Sequence, residues 1–277
     1  MEEPEAHLHP QYQNTFFEYL NELQSKGLQI FVTSHSPTIT AKSDVDNISV
    51  LQRKQSTIRS FSFDELSEED YPKESKRHLR KFLDTTKAQL FFANGVLLVE
   101  GVAEAIIIPI LAKKFLTEKI DLCKSGIELV NIGGVAFNHF GLLFNNDDER
   151  KRLLSKCAII TDSDPKADGN ISDRAKKAKD LEKHNLKVCL APHTLEHDLF
   201  EESERNQTIM REVYRNMHSQ TDDLRGDFNV STLMDKLESN KDKAEFALQL
   251  YDRFEKEDAF DVPEYIKEAI LFVVPTE

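Results

Sequence analysis

The sequence predicts an α/β protein built on a parallel sheet that is buried on both faces and flanked by helices. Three runs carry that prediction: Val96-Leu97-Leu98-Val99, Ala158-Ile159-Ile160-Thr161 and Val188-Cys189-Leu190-Ala191. None alternates polar with apolar residues, the pattern of a strand covered on both sides. The first two stop abruptly in carboxylates, Glu100 then Glu104, and Asp162 then Asp164. Acids at the carboxyl ends of such strands lie where open α/β sheets place their ligands. Gathered there, they repel one another unless a cation neutralises them, and hard oxygen ligands suit Mg²⁺ or Mn²⁺.

The elements follow in order. Residues 10–26 read as a helix, with Pro10 in its first turn, a stripe of Phe16, Phe17, Leu20 and Leu23, and Gly27 as its stop. Residues 28–32 read as a short buried strand. Residues 48–51 and 57–63 read as a strand pair. A polar, acidic stretch then leads to a helix over 76–93, a bridge whose bases Lys76, Arg77, Arg80 and Lys81 read as a solvated face more readily than as phosphate ligands. Beyond it come the first core strand, a helix over 104–115, and Val130-Asn131-Ile132 running into the Gly133-Gly134 turn. The second acid-tipped strand, a charged helix over 173–185 and a strand over 187–191 complete the core. Residues 200–277 read as helical, with helices near 212–217, 230–237 and 243–254 and a last one beginning near Pro263. The expected divisions are 1–63, a helical bridge 64–94, a sheet core 95–199 and a helical region 200–277.

Composition sets the outer limits. The chain has 277 residues, 39% hydrophobic and 31% charged, enough for one large domain or two. No signal-peptide pattern or membrane-length apolar run occurs. Cys123, Cys157 and Cys189 form neither a zinc pattern nor a disulfide framework, which points to a reduced cytoplasm. The net charge of −13 weighs against strong nonspecific DNA affinity. Bases cluster at 73–81 and 174–187, and a metal centre would cancel several acids locally.

The amino-terminal stretch Glu2-Glu3-Pro4-Glu5-Ala6-His7-Leu8-His9-Pro10, with the helix, strand and Thr33-Ser34-His35-Ser36-Pro37 that follow, resembles the last part of an ABC-type ATPase head. The resemblance implies that Glu2 helps hold Mg²⁺, that Glu3 polarises the attacking water and that His35 senses the γ-phosphate. No G-x-x-x-x-G-K-[S/T] loop occurs to cradle a triphosphate. The expectation is therefore the C-terminal part of a longer protein, with an incomplete ATP site and no ATP hydrolysis by this chain.

Val99-Glu100-Gly101-Val102-Ala103-Glu104 with Asp162-Ser163-Asp164, and the Gly-Gly strand between them, resembles the Toprim domain of topoisomerases, primases and certain nucleases. Joined to an ABC-type segment, it is similar to the OLD-family nucleases (overcoming lysogenization defect), which include the nuclease subunit of the Gabija antiphage system. The resemblance also covers Leu195-Glu196-His197-Asp198-Leu199 and Lys243-Ala244-Glu245-Phe246-Ala247. It implies a DNA endonuclease acting through two divalent ions about 4 Å apart. Glu100, Asp162 and Asp164 would hold one ion, and Glu104 and Glu196 the other, with Asp198 as neighbour. Glu100 would also relay a proton, and Lys243 would stabilise the transition-state charge. A homo-oligomer and a helicase-like partner are implied as well.

The blander readings are local. Asp162 and Asp164 would start the turn at Pro165, Glu100 and Glu104 would favour a helix start, and Glu196 and Asp198 would do the same further on. Lys243 would be a surface lysine, and His193 and His197 backbone partners. The competing functions are a non-catalytic oligomerisation module and a topoisomerase, although none of the six tyrosines lies in a recognisable breakage domain.

Overall fold

A computed structural model describes the chain except for His7, Val135, Asp164, residues 166–169 and 219–227, Asp258, residues 276–277 and the side chain of Pro10. The chain divides into two compact units, one of residues 1–93 and 138–154, the other of residues 94–137 and 155–277.

The first unit opens with α1 (Pro10–Ser25). Gly27, at φ +89°, ends it in a conformation that costs glycine nothing. The strand expected over 28–32 is not formed. The Met1 amine bonds the Phe31 carbonyl, and just beyond the segment a parallel bridge joins Glu2 to Thr33. Leu28 and Phe31 are exposed, so this run lacks the covered faces that its composition suggested. Next come α2 (Pro37–Lys42), capped by the Ser36 hydroxyl, and an antiparallel pair, β1 (Ser49–Lys54) and β2 (Thr57–Ser62). The helix expected over 76–93 is two helices, α3 (Lys73–Phe82) and α4 (Thr85–Ala88), followed by a 3₁₀ turn. The break falls where the Asp84 carboxylate caps α4 by accepting the Lys87 N–H at 2.8 Å.

The basic run on α3 is largely committed to ion pairs. Lys76 meets Asp46 at 3.0 Å, and Arg80 meets Asp44 at 3.1 Å and also Asp46. Residues 138–154 return to this unit. There Asp70 accepts from Lys151 at 2.7 Å and from Asn146 at 2.8 Å, and Glu149 takes Lys54 and Arg59. Hydrogen bonds from Lys151, Ser67 and Asn146 hold the Asp70 carboxyl well below the usual carboxylate range. Its contribution to stability is present above the ordinary aspartate pKa and is lost as pH falls through the depressed one. Asp70→Asn should therefore lower the melting temperature at neutral pH and narrow the gap from wild type on acidification, as read by thermal melts.

The second unit is a four-stranded parallel sheet of β3 (Gly95–Val99), β4 (Ile127–Asn131), β5 (Lys156–Asp162) and β6 (Leu186–Ala191), in the order β4-β3-β5-β6. Every β3 residue is buried, as the unbroken apolar run required. Helices α5 (Val102–Ile110), α6 (Phe137–Gly141, whose first residue alone belongs to this unit) and α7 (Asp173–Lys179) join the strands. The region expected to be helical from 200 onward is so among its described residues: α8 (Leu195–Glu201), α9 (Glu204–Met217), α10 (Val230–Asn240), α11 (Lys243–Phe254) and α12 (Glu264–Val273). Helix α11 packs against α5 and α9, while α12 lies over β5, β6 and β3. One core therefore joins sheet and helices, from Leu97 and Ile160 to Phe246, Phe254 and Ile270. The sheet and the C-terminal helices form a single unit.

At Gly95 an added Cβ would lie 2.3 Å from the Val273 carbonyl oxygen. Gly95→Ala must push α12 off the start of β3, at a cost of about 1–3 kcal/mol, typical of overpacking. Denaturant unfolding would show a lower midpoint with an unchanged slope.

Candidate metal and catalytic site

Parallel pairing of β3 with β5 sets Leu98 opposite Ile159, so Glu100 leaves β3 level with Thr161, one residue before Asp162 ends β5. The Glu100 carboxylate accepts the Thr161 hydroxyl, the Asp162 N–H at 3.4 Å and the Arg174 guanidinium at 3.4 Å. The Gly133-Gly134 turn after β4 wraps the same edge: the Gly134 N–H donates to the Glu100 carbonyl at 3.0 Å. Both glycines have positive φ, +70° and +133°, which explains that pair at the strand end.

Glu104 lies in the first turn of α5. Burial, reinforced by the charges of Glu196 and Glu100, raises its carboxyl above the usual glutamate range. Glu196 reaches this neighbourhood from α8, where it is buried. Ser163 ties the α8 approach to the end of β5, since its N–H bonds the Ala191 carbonyl at 2.9 Å and its hydroxyl bonds that of Pro192.

Tyr265, from the first turn of α12, completes the cluster. It is buried, and its hydroxyl makes no hydrogen bond. Burial pushes the phenol well above its ordinary range, and the charges of Asp198, Asp162, Glu104 and Glu196 push it further. That hydroxyl therefore stands among four carboxylates. The charges of Glu100 and Glu196 thus reach Glu104, and those of Asp162, Glu104, Glu196 and Asp198 reach Tyr265. Asp164 lies outside the described residues. Asp198 is buried on α8, with its oxygens on His193: Oδ2 accepts the backbone N–H at 3.2 Å, and Oδ1 is 3.3 Å from Nδ1.

Lys243 is placed differently. It begins α11 and its ammonium lies 3.8 Å from Glu238, an exposed residue of α10. The Phe-Ala pair that follows is a packing signature, since Phe246 and Ala247 are buried in the core. In the other unit Glu3 and His35 do meet, Nε2 to Oε1 at 3.2 Å. The Glu3 N–H bonds the Thr33 carbonyl at 2.9 Å, and Glu2 bridges Thr33. Glu5 anchors that loop by accepting the Ser34 hydroxyl and the His35 N–H.

Sequence reasoning passed over Thr161, Arg174, Tyr265 and Glu5. Thr161 reads only as a strand residue and Arg174 only as part of a basic helix. Tyr265 is about a hundred residues beyond the acid-tipped strands, and nothing local marks it.

The raised carboxyl of Glu104 has a definite consequence. Its contribution to folding is full below the ordinary glutamate pKa of about 4.3 and is lost as pH rises through the elevated value. Metal-free protein should therefore lose melting temperature over that interval, and Glu104→Gln should flatten the loss. Added Mg²⁺ should oppose it in wild type.

Residues 91–164 match the family described as overcoming lysogenization defect protein-like, TOPRIM domain, and residues 1–40 match the AAA ATPase domain family. The chain is 29% identical over 162 residues to the Old nuclease of Escherichia phage P2, which covers 58% of this chain and 28% of that protein. It is 28% identical over 202 residues to endonuclease GajA of Bacillus cereus (strain HuB5-5), covering 65% and 28% respectively. The chain thus spans little more than a quarter of the length of these relatives. The C-terminal region of the Burkholderia pseudomallei OLD protein shares the fold, with a TM-score of 0.51 at 21% identity over 66% of this chain and 97% of that one. Among the described residues, no helix is long and apolar enough to cross a membrane.

Proposed function

From a chain that carries an OLD-like Toprim domain together with an ATPase-like segment, we propose a divalent-metal-dependent DNA endonuclease. What supports the reading is that Glu104 feels the charges of Glu196 and Glu100, while those of Asp198, Asp162, Glu104 and Glu196 bear on the buried Tyr265 hydroxyl, which has no hydrogen-bond partner. Such a set is unfavourable while its carboxylates are charged and uncompensated. It fits a hard cation, because every donor is oxygen. Mg²⁺ or Mn²⁺ bound there would activate water and stabilise the leaving oxygen of a phosphodiester.

The chain's own residues do the rest. Thr161 and the Asp162 N–H fix one oxygen of the Glu100 carboxylate, and the other would be offered to a metal ion. Glu100 takes the proton released when water attacks. Arg174, beside Glu100, offers its guanidinium to a phosphate oxygen. Tyr265 keeps its proton and presents it to the pocket. Asp164 extends the ligand set, and Lys243 reaches the phosphate only when its exposed pairing with Glu238 is exchanged for DNA. In the whole protein the ATPase-like segment, with Glu2, Glu3 and His35, would make cleavage responsive to ATP, and an antiphage role, a homo-oligomer and a helicase-like partner would follow from the relatives.

Incubation with supercoiled plasmid and Mg²⁺ or Mn²⁺ tests the proposal. Nicked or linear DNA without a protein adduct is the expected product. Relaxed closed circles would indicate a topoisomerase, and plasmid left intact by a stable oligomer would indicate an assembly module.

A further inference from the structure

Beside the carboxylate pocket, α8 and the turn before it bring together a group of different chemistry. His193 and His197 stack with ring centroids 3.9 Å apart. Their Nδ1 atoms lie 3.3 and 3.4 Å from one atom, Oδ1 of the buried Asp198. One ligand atom from each residue lies within 4.8 Å of the others. The histidines flank the Thr194 cap, one before it and one in the first turn, and the stacking brings their rings together at the helix start.

Two features separate this group from an ordinary histidine–aspartate hydrogen bond. His197 Nδ1 is buried and has no hydrogen-bond partner, although Asp198 Oδ1 is 3.4 Å away. Leaving a buried ring nitrogen unpaired costs about 1–3 kcal/mol. The spacing is also that of ligands sharing an ion. Metal–ligand bonds of about 2.0–2.1 Å at tetrahedral angles set neighbouring donor atoms about 3.3–3.4 Å apart.

We propose that His193, His197 and Asp198 bind one divalent transition-metal ion of the zinc class through two imidazole nitrogens and a carboxylate oxygen. Imidazole selects such ions over Mg²⁺, which prefers the all-oxygen set. The His193 side chain is half exposed, at 50%, so the ion has a path from solvent and a fourth position for water. Bound there, it clamps the Pro192–Thr194 turn to α8, the helix that presents Glu196. The site does not depend on the nuclease reading.

Zinc titration by calorimetry, in a large excess of Mg²⁺, is the test. One Zn²⁺ per chain should bind wild type. His193→Ala and His197→Ala should each weaken binding at least tenfold with unchanged circular dichroism, and Glu100→Gln should not. Zn²⁺ should also raise the melting temperature of wild type more than that of either histidine variant. Equal Zn²⁺ affinity in wild type and both histidine variants would overturn the proposal. So would Zn²⁺ binding that disappears in Glu100→Gln, because zinc would then be entering the carboxylate pocket. Plasmid cleavage by the same samples is scored separately, so failure of either reading leaves the other standing.

Discussion

Asp162→Ala and Glu100→Gln should each reduce divalent-ion-dependent DNA cleavage at least about a hundredfold, the scale of removing one preorganised electrostatic partner. Neither should lower the melting temperature of the metal-free protein by an amount that explains the loss. Removing an acid from this neighbourhood relieves like-charge repulsion, which adds to burial in raising the Glu104 carboxyl through Glu196 and Glu100. Glutamine is the informative change at Glu100. Alanine there would leave the Thr161 hydroxyl, in a residue only 3% exposed, without its acceptor. Measured activity should track metal affinity, so the apparent Mg²⁺ requirement should rise in both variants. Full cleavage by Asp162→Ala at matched metal concentration would remove Asp162 from the site.

Phe246→Ala should be among the most destabilising single changes in the second unit, by about 3–5 kcal/mol, the range for emptying a buried aromatic site. Phe246 is fully buried in the core beneath α11, and its ring lies 6.4 Å from that of Tyr214. Helix α11 is also what α5 packs on, and α5 carries Glu104. The loss should therefore appear as lower stability and weaker metal binding together, since many single domains have only about 5–15 kcal/mol to lose. Lys243→Ala, three residues earlier on the exposed end of the helix, should leave the denaturation midpoint nearly unchanged, because its pair with Glu238 is solvent-exposed. If Lys243 acts on phosphate, that variant loses turnover while keeping its fold. The pair of variants separates the two parts of the Lys-x-x-Phe-Ala segment.

Much of this fold is written in local pattern. The runs at 96–99 and 158–161 have no polar alternation, so the buried parallel sheet and its acid-tipped ends were readable before any coordinates. The hairpin at β1 and β2, the stops at Gly27 and Gly133-Gly134, and helices 230–240 and 243–254 were legible for the same reason. Failures came where a neighbour decides the outcome. Residues 28–32 have strand composition but only one short partner segment. The helix through 76–93 keeps its apolar spacing, yet the Asp84 cap competes with the continuing backbone and wins. At the site, carboxylates could be listed from motifs, but their supports could not. Arg174 meets Glu100 across the sheet, and Tyr265 comes from the far end of the chain. Asp198 could be named as an acid beside the metal set, but its contacts with His193 and His197 could not.

The central claim is that four acids from three separated segments form one receptacle for divalent ions. A crystal soaked in Mn²⁺, with diffraction recorded at the manganese absorption edge, tests it most directly. Anomalous density among Glu100, Glu104, Asp162 and Glu196, absent from Asp162→Ala crystals, is the expected result. Density elsewhere only, or none while those four side chains stay turned toward one another at saturating Mn²⁺, would contradict it.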